Sequence, residues 1–361
     1  MRIAVAGMVA RDACQGGAIW AVLQYALGLR GLGHDVVLVE EVADDRFGAV
    51  APRFSAVTRE FGLDGVLVSA SRRTAALDGV DLLLNISGTL TDETVLARCA
   101  TRAYVDLDPG FTQLWHATGQ ADMGFDRHDR FVTIGRGIGE RIPDCGRDWI
   151  ATPQPIALER WPFADSPADG ALTTVGHWRA YGSIHHGGVH YGQKAHSLRP
   201  LLGLPAATGA RFRLALGIDA GERDDLAALR REGWELVDPV AAAGTPAAYR
   251  TFVQGSWAEF GLAKLGYVEA CNGWFSDRSV AYLASGRPVV AQDTGFGAWL
   301  PVGEGVLAFR DADGVVAAVE SLRADYPRHR RAARELAEEV FRSDRVLAPL
   351  LDRLAEAVSC A

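Results

Sequence analysis

The chain has 361 residues and a net charge of −8, with 48% apolar and 23% charged residues, which is the balance of a globular protein of about two domains. This charge argues against general binding to nucleic acid or to anionic membranes, and no apolar run reaches the roughly 18 residues that a membrane span needs. Five scattered cysteines without a C-x-x-C pair indicate neither a zinc site nor a disulfide framework, so the cytoplasm is the expected location.

The first part of the chain alternates strands with helices. Strands are predicted at 2–6, 34–39, 81–86, 102–107 and 131–135, and helices at 17–30, 52–62 and 92–99. This alternation is typical of a parallel sheet that is covered on both faces. We therefore predict a Rossmann-like domain over residues 1–151.

A second domain follows a proline-rich break. Residues 152–169 hold four prolines and little periodicity, which predicts a linker. Strands are then predicted at 171–176, 211–216, 234–237 and 288–292, and helices at 223–232, 246–254, 279–285, 313–323, 327–342 and 345–358. We expect a second Rossmann-like domain over 170–326 and terminal helices over 327–361. Two doubly wound domains of this α/β class would face each other across a cleft, with ligands bound beyond the carboxyl ends of the strands.

The first glycine-rich loop runs from Gly7 to Gly17, between the first strand and its helix. It is too long for the G-x-G-x-x-G turn, so a nicotinamide or flavin is disfavoured and no cofactor is predicted. Gly16 and Gly17 would let backbone N–H groups approach a ligand, although a plain connector is the alternative interpretation. Asp12 is the best-placed carboxylate of this domain for a general base.

Five of the nine histidines lie in the segment HWRAYGSIHHGGVHYGQKAH, residues 177–196. His186 and His190 have metal-ligand spacing, but Gly187-Gly188 between them undermines the helix that would align them, so no metal site is predicted. The segment is interpreted as a donor-rich loop over an anionic ligand, with Lys194 as a point charge for phosphate. A solvated polar loop is the alternative.

The segment WFSDRSVAYLASGRPVVAQDTGFG, residues 274–297, predicts a helix start, a glycine stop at Gly286, a strand and a second glycine turn. A cation in the first turn, Arg278, is unfavourable by roughly 0.3–1 kcal/mol unless an anion binds there. The helix start and the turn at Thr294-Gly295 would together hold a diphosphate. The tripeptide Ser-Asp-Arg recurs at residues 343–345, where only a cap is expected.

Two weaker signals come from the first domain. Asp106 and Asp108 form a D-x-D that precedes Pro109-Gly110, and we interpret it as a strand end and a turn with carboxylates that could face the cleft. His116 is a second candidate for a base, although a lone histidine is more often structural.

These residues resemble those of GT-B glycosyltransferases, which have two facing Rossmann-like domains. The segment RGLGHDVVLVE (30–40) resembles the entry to their second strand. The segment YLASGRPVVAQDTGFGAWLPVGEGVLAF (282–309) is similar to the donor-domain signature A-S-G-x-P-V-V-x-x-D-x-G…G-x-G-x-L. The terminal helices would match the last helix of that fold, which crosses back onto the first domain.

The resemblance implies transfer of a sugar from a nucleotide-diphosphate sugar without a catalytic metal. The residues that would hold the diphosphate are Ser276, Arg278, Ser279, Thr294, Gly295, Lys194 and, less favoured, Arg179. The nucleoside would lie near residues 237–242, with Val237, Asp238 and Val240 as contacts. The acceptor would dock near Asp12, Gly16, Gly17, His116 and His177.

One departure from that pattern leaves the stereochemistry open. Many retaining members carry E-x7-E before the A-S-G motif, but Asn272 and Val280 occupy those two positions here. Whether Asp277 substitutes for the missing ribose contact stays open, and inversion would require a base such as Asp12 or His116.

The leading hypothesis is a hexosyltransferase acting on a small-molecule or secondary-metabolite acceptor. A nucleotide-sugar epimerase of the same fold and a non-catalytic nucleotide-sugar binder are the alternatives. The nucleotide, the sugar, the acceptor and the oligomeric state are left open.

Overall fold

The structure, a computed structural model, describes residues 1–72, 75–165 and 170–356. Its first sheet has seven parallel strands in the order β3-β2-β1-β4-β5-β6-β7. The strands are β1 (Arg2–Ala6), β2 (Asp35–Glu41), β3 (Asp64–Val68), β4 (Val80–Ile86), β5 (Cys99–Asp106), β6 (Arg130–Thr133) and β7 (Trp149–Ala151). We call this sheet and the helices that cover it the N-terminal domain.

The second sheet repeats this arrangement in six parallel strands, ordered β12-β11-β8-β13-β14-β15. The strands of the C-terminal domain are β8 (Leu172–His177), the antiparallel hairpin β9 (Ile184–His186) and β10 (Val189–Tyr191), then β11 (Phe212–Gly217), β12 (Glu235–Leu236), β13 (Ala258–Gly261), β14 (Val289–Gln292) and β15 (Val306–Phe309). When the strands of each sheet are numbered in chain order, both sheets have the 3-2-1-4-5-6 order of a Rossmann fold, and β7 adds a seventh strand to the first sheet. The predicted fold class is therefore confirmed.

Helices cover these sheets, so the central strands of each sheet are buried on both faces. They are α1 (Gly16–Gly31), α2 (Phe47–Phe61), α3 (Glu93–Leu96), α4 (Phe111–Ala117), α5 (Lys194–Leu198), α6 (Leu204–Thr208), α7 (Arg223–Arg231), α8 (Pro239–Ala243), α9 (Pro246–Gly255), α10 (Leu265–Ala270), α11 (Asp277–Ala284), α12 (Ala312–Ala324), α13 (Tyr326–Leu336) and α14 (Ser343–Glu356). Within the described residues, no helix is long and apolar enough to cross a membrane.

The structure corrects several predicted elements. The strands β3, β7, β13 and β15 were not predicted, because each has only three to five residues and too little alternation to stand out. The segment 177–196 contains a hairpin and the start of α5 rather than only a loop. The predicted helix 327–342 is α13 followed by a π-helical turn, Ala337–Phe341.

The proline-rich segment packs against both domains. Ile156 donates its N–H to the Phe341 carbonyl at 2.7 Å, and its own carbonyl accepts from Ser343 at 2.9 Å. Trp161 is fully buried and lies 4.9 Å, centroid to centroid, from the ring of Trp20 on α1. The end of the predicted linker, residues 166–169, and the end of the predicted helix 345–358 lie outside the described residues.

Helix α1 joins the two domains. The indole N–H of Trp20 donates to the Pro246 carbonyl at the start of α9, at 2.9 Å. Near its other end, α1 packs against α14, where a methyl group at Gly28 would overlap Ser343 and Leu347. The start of α1 thereby faces the C-terminal domain, and its end lies against the helix that closes the chain.

Candidate functional site

A cavity of about 220 Å³ lies between the domains at the carboxyl end of β8. We call it the central cavity. It is lined by Cys14, Gln15, Gly16, Gly17 and Ala18 from the N-terminal domain and by Val175, Gly176, His177, Pro239, Ala243, Tyr249, Asp277 and Arg278 from the C-terminal domain. Strands β11 and β13 flank β8 on opposite sides, so the cavity lies at the topological switch point where α/β sheets bind ligands.

Gly16 and Gly17 permit the close approach of the two domains. A Cβ atom at Gly16 would overlap the backbone carbonyls of Thr245 and Ala243, and one at Gly17 would lie 2.9 Å from the ring of Tyr249. The glycine pair was predicted to bring backbone amides toward a ligand. The structure adds a second reason for the absence of side chains, namely direct packing of α1 against the helices of the other domain.

Arg278 lies at the start of α11 and is held by two contacts inside the protein. Its Nε donates to the Glu259 carboxylate at 2.5 Å, and its Nη1 donates to the Val175 carbonyl at 3.1 Å. Among the described residues, Nη2 has no hydrogen-bond partner. The buried carboxylate offsets the unfavourable position of this cation at a helix start, and Arg278 also lines the central cavity.

Two lysines, Lys194 and Lys264, lie near the two basic residues of the cavity wall, His177 and Arg278. Lys194 is buried at the start of α5, its Cε lies beside Gly176, and its Nζ donates to the Leu262 carbonyl. Burial lowers the pKa of Lys194 well below its ordinary value, and the charges of Arg278 and Lys264 lower it further. The pKa of His177 is lowered by partial burial and then by the two lysines. Arg278 and Lys264 pair with Glu259 and Asp108, whereas Lys194 forms no ion pair with a described carboxylate.

The other predicted phosphate contacts are engaged within the protein. Ser276 caps α11 by accepting the Arg278 N–H at 3.2 Å. Ser279, the residue after Arg278, is buried. The Thr294 hydroxyl donates to the Trp274 carbonyl, and the Gly295 N–H donates to Asp293 at 2.8 Å. None of these four residues lines the central cavity.

The predicted nucleoside contacts lie at the start of α8. Asp238 caps this helix by accepting the N–H of Val240 at 2.9 Å, and Val237 lies between β12 and this cap. Neither Val237, Asp238 nor Val240 lines the cavity, although Pro239 between them does. Asp277 lies in the cavity wall, and burial raises the pKa of its carboxyl group.

The predicted bases and Arg179 lie away from the cavity wall. Asp12 is half-buried, two residues before Cys14, and forms a 4.0 Å ion pair with Arg11. The ring of His116 packs 4.4 Å from that of Phe125, inside the N-terminal domain. Arg179 is exposed and pairs with Glu222. The structure thus brings together Gly16, Gly17, His177, Asp277 and Arg278, but not these three residues.

A polar cluster joins the domains at Asp108, one of the two carboxylates that could face the cleft, and sequence reasoning missed its partners. Asp108, two residues after β5, accepts hydrogen bonds from Tyr181 and Tyr267 and pairs with Lys264 at 3.1 Å. Asp106 is buried and accepts from Thr112, Gln113 and Thr133. The D-x-D motif is therefore a strand end and a turn, and only Asp108 reaches the other domain.

Glu259 was also missed, since it is an acidic residue in the short buried strand β13. Its presence in an otherwise apolar stretch, AEFG, was the one available signal. Across residues 1–72, 75–165 and 170–356, no group of three or more His, Cys, Asp or Glu side chains could hold a metal ion.

The fold is shared with solved structures that differ greatly in sequence. An alpha-glucosyltransferase in complex with UDP-glucose and DNA containing an abasic site is 12% identical, with a TM-score of 0.65 over 98% of this chain and 99% of its own. The Anabaena protein HepE in complex with UDP-glucose is 10% identical, with a TM-score of 0.59 over 100% of both chains. The sequence matches no protein family and has no significant similarity to a curated protein. The likeness shows the GT-B fold.

Proposed function

We propose that the chain is a glycosyltransferase that moves a sugar from a nucleotide-diphosphate sugar to the hydroxyl group of a small-molecule acceptor. The observation that carries the proposal is the central cavity, which has glycines on one wall and Arg278 on the other, at the switch point of the donor-domain sheet. Solved structures with this fold contain UDP or UDP-glucose, which supports a nucleotide sugar as the ligand.

The diphosphate would bind between Arg278, Lys194 and the start of α11. Arg278 has N–H groups left over from its contacts with Glu259 and Val175, and a phosphate would pair with them. Lys194 would exchange the Leu262 carbonyl for a phosphate oxygen. Both cations would stabilise the negative charge that develops on the departing nucleoside diphosphate, so we propose transfer without a divalent metal.

The nucleoside would lie at the end of the cavity formed by α8. Pro239 and Ala243 line this end, and the capped turn at Asp238 is next to them. Asp12 remains our proposed base, because it precedes the cavity residue Cys14 by two positions and is half-exposed. His116 is less suited to this role, because its ring packs against Phe125.

A thermal-shift screen with UDP, TDP, GDP and ADP tests the proposal. One nucleotide should raise the melting temperature through specific binding, with EDTA present throughout. The Arg278→Ala variant should lose the shift. The control variant Arg345→Ala, which changes the arginine of the second Ser-Asp-Arg copy, a residue that does not line the cavity, should keep it. If no nucleoside diphosphate stabilises the wild-type protein, the proposal is wrong.

The reaction itself is followed by NMR of the matching nucleotide sugar. Slow release of the nucleoside diphosphate, faster with an acceptor and unchanged by EDTA, is the expected result. Conversion of the sugar with no release would point to an epimerase, and binding without any conversion would point to a non-catalytic binder. Turnover that disappears with EDTA and returns with manganese would contradict the metal-independent mechanism.

A further inference from the structure

Three buried tyrosines, Tyr25 on α1, Tyr249 on α9 and Tyr282 on α11, have hydroxyl groups that differ in what they contact. The Tyr282 hydroxyl shares a hydrogen bond of 2.6 Å with the Thr173 hydroxyl. Across the three described ranges, the hydroxyl groups of Tyr25 and Tyr249 have no hydrogen-bond partner. Tyr25 is enclosed, whereas Tyr249 lines the central cavity, as neither of the other two does. Only Tyr249 therefore offers its hydroxyl group to a ligand in that cavity.

The ring of Tyr249 is fixed by packing from both sides. It lies against α1 at Gly17, where an added Cβ atom would be 2.9 Å from the ring, and its centroid lies 6.2 Å from that of Trp161 in the proline-rich segment. The start of α9 is capped by Thr245, which accepts the Ala248 N–H at 3.1 Å. Since only 2% of Tyr249 is exposed, its hydroxyl group would bind a ligand at little cost in conformational entropy.

The Tyr249 hydroxyl is a neutral donor in a wall that also carries charge. Asp277 and Arg278 line the same cavity, and both are close enough to Tyr249 to affect its ionisation. Burial raises the pKa of Tyr249 well above its ordinary value, and the charge of Asp277 raises it further, so the phenol keeps its proton. The Asp277 carboxylate accepts from the Ser276 hydroxyl at 3.3 Å and not from Tyr249. A phenol donates most strongly to an anionic oxygen, which a phosphate would supply.

A second void beside Tyr249 is too small to hold such a ligand. Tyr249 also lines a space of about 10 Å³ between α1, α9, α11 and residues 154–156. That volume has room for about one water molecule. The central cavity, at about 220 Å³, is more than an order of magnitude larger. A ligand that contacts the hydroxyl group must therefore bind in the central cavity.

We propose that Tyr249 contacts the ligand of the central cavity and that its hydroxyl donates to a phosphate oxygen of the nucleotide-sugar donor, an inference that rests on the proposed function. Arg278 and Tyr249 would then hold the diphosphate from two different helices, α11 and α9, the first with a charge and the second with a neutral hydrogen bond. Because α1 packs on α9, this contact would place the diphosphate at the junction of the two domains.

Calorimetry on the full chain with Tyr249→Phe tests the inference, because this change removes the hydroxyl group and keeps the ring. The ligand is whichever of UDP, TDP, GDP and ADP the thermal-shift screen selects. Its Kd should rise about tenfold, since a hydrogen bond to a charged group is lost. The melting temperature should not fall, because the hydroxyl group has no partner within the described protein. Phosphorus NMR of the bound nucleotide should show a shifted phosphate resonance in the variant.

The other two tyrosines provide matched controls. Tyr282→Phe removes a hydroxyl group that bonds to Thr173, so it should lower the melting temperature and leave Kd within twofold. Tyr25→Phe removes an enclosed hydroxyl group without a described partner, so it should lower neither stability nor affinity. Equal losses of affinity in Tyr249→Phe and Tyr282→Phe would show a structural effect and overturn the inference. Weaker binding by Tyr249→Phe with unchanged phosphorus resonances would place the contact elsewhere on the nucleotide and overturn it as well.

The wild-type protein separates this inference from the proposed function. If it binds one of the four nucleoside diphosphates and Tyr249→Phe binds that nucleotide equally well, the inference about Tyr249 is wrong and the proposed function stands. If none of the four binds to the wild type, the proposed function is wrong, and the role of Tyr249 with it.

Discussion

The tripeptide Ser-Asp-Arg begins two helices of this chain, and the two copies have different surroundings. In the first copy, at the start of α11, the Arg278 side chain is 10% exposed and pairs with Glu259, which is 0% exposed. In the second, at the start of α14, Asp344 pairs with Arg342 at side-chain exposures of 47% and 44%. Arg345 points to solvent.

The difference shows that the tripeptide specifies a helix start and little else. At α11 the Ser276 hydroxyl accepts the Arg278 N–H, and at α14 the Asp344 carboxylate accepts the Arg345 N–H. Whether the arginine binds a ligand depends on what the fold places next to it. Next to Arg278 lie a buried carboxylate and the central cavity, whereas Arg345 is exposed to solvent.

The largest effect is expected from breaking the buried pair. Arg278→Ala should lower nucleoside diphosphate affinity by about 1.5–3 kcal/mol, which is more than tenfold in Kd, because a charge-assisted hydrogen bond is lost. It should also lower the free energy of unfolding by about 3–5 kcal/mol, since Glu259 is left buried without its partner. Calorimetry and urea unfolding measure the two effects.

Two control variants separate the effect on nucleotide affinity from the effect on the free energy of unfolding. The double variant Arg278→Met/Glu259→Met removes both charges, so stability should return close to that of the wild type while nucleotide affinity stays low. Arg345→Ala should change both quantities by less than about 0.5 kcal/mol. Full nucleotide affinity in the double variant would mean that Arg278 does not contact the phosphate.

Glycines on α1 extend the comparison, because each end of this helix faces one copy of the tripeptide. Gly16→Ala would place a methyl group against the carbonyls of Thr245 and Ala243, so we expect a loss of roughly 1–3 kcal/mol and weaker nucleotide binding. Gly28→Ala would place it against Ser343 and Leu347, which should lower stability similarly without a change in Kd. Equal effects on Kd would contradict the separate roles of the two ends.

The sequence indicated the fold and one wall of the site, because both depend on local patterns. Alternating strands and helices indicated the two domains, and capping and glycine patterns indicated the start of α11 and its end at Gly286. The partners of these residues come from distant parts of the chain. Glu259 is 19 residues from Arg278, and Lys264 is 156 residues from Asp108, so periodicity carries no sign of either contact.

Hydrogen bonds within the protein occupy some of the polar groups that the sequence offers for a ligand. Thr294 and Gly295 form the predicted glycine turn, yet the Thr294 hydroxyl donates to the Trp274 carbonyl, 20 residues earlier, and the Gly295 N–H donates to the neighbouring Asp293. His116 was expected on a loop, but it lies on the short helix α4, and its ring packs against Phe125. Motif spacing therefore does not predict which polar atoms remain free.

A smaller effect, visible only as a pH dependence, is expected at Lys194. Its pKa is lowered by burial and by the charges of Arg278 and Lys264, and a bound diphosphate would raise it again. Affinity should thus be highest below the pKa of the free protein and fall by up to tenfold per pH unit as the pH rises toward the pKa of the complex. Lys194→Gln should remove this slope in calorimetric titrations, and a slope that survives would belong to another group.

The smallest effect separates a helix cap from a ligand contact. Ser276 accepts the N–H of Arg278 and does not line the central cavity, so Ser276→Ala should lower the free energy of unfolding by about 1 kcal/mol. Nucleotide Kd should change less than twofold, because a cap orients the backbone and the Arg278 side chain keeps its contacts with Glu259 and Val175.

Ser276→Asp, which preserves a capping oxygen, should recover the stability but weaken nucleotide binding, since it adds a negative charge beside the phosphates. If Ser276→Ala instead weakened binding with stability unchanged, the hydroxyl would be a phosphate ligand, and the first copy of the tripeptide would differ from the second in its serine as well as in its arginine.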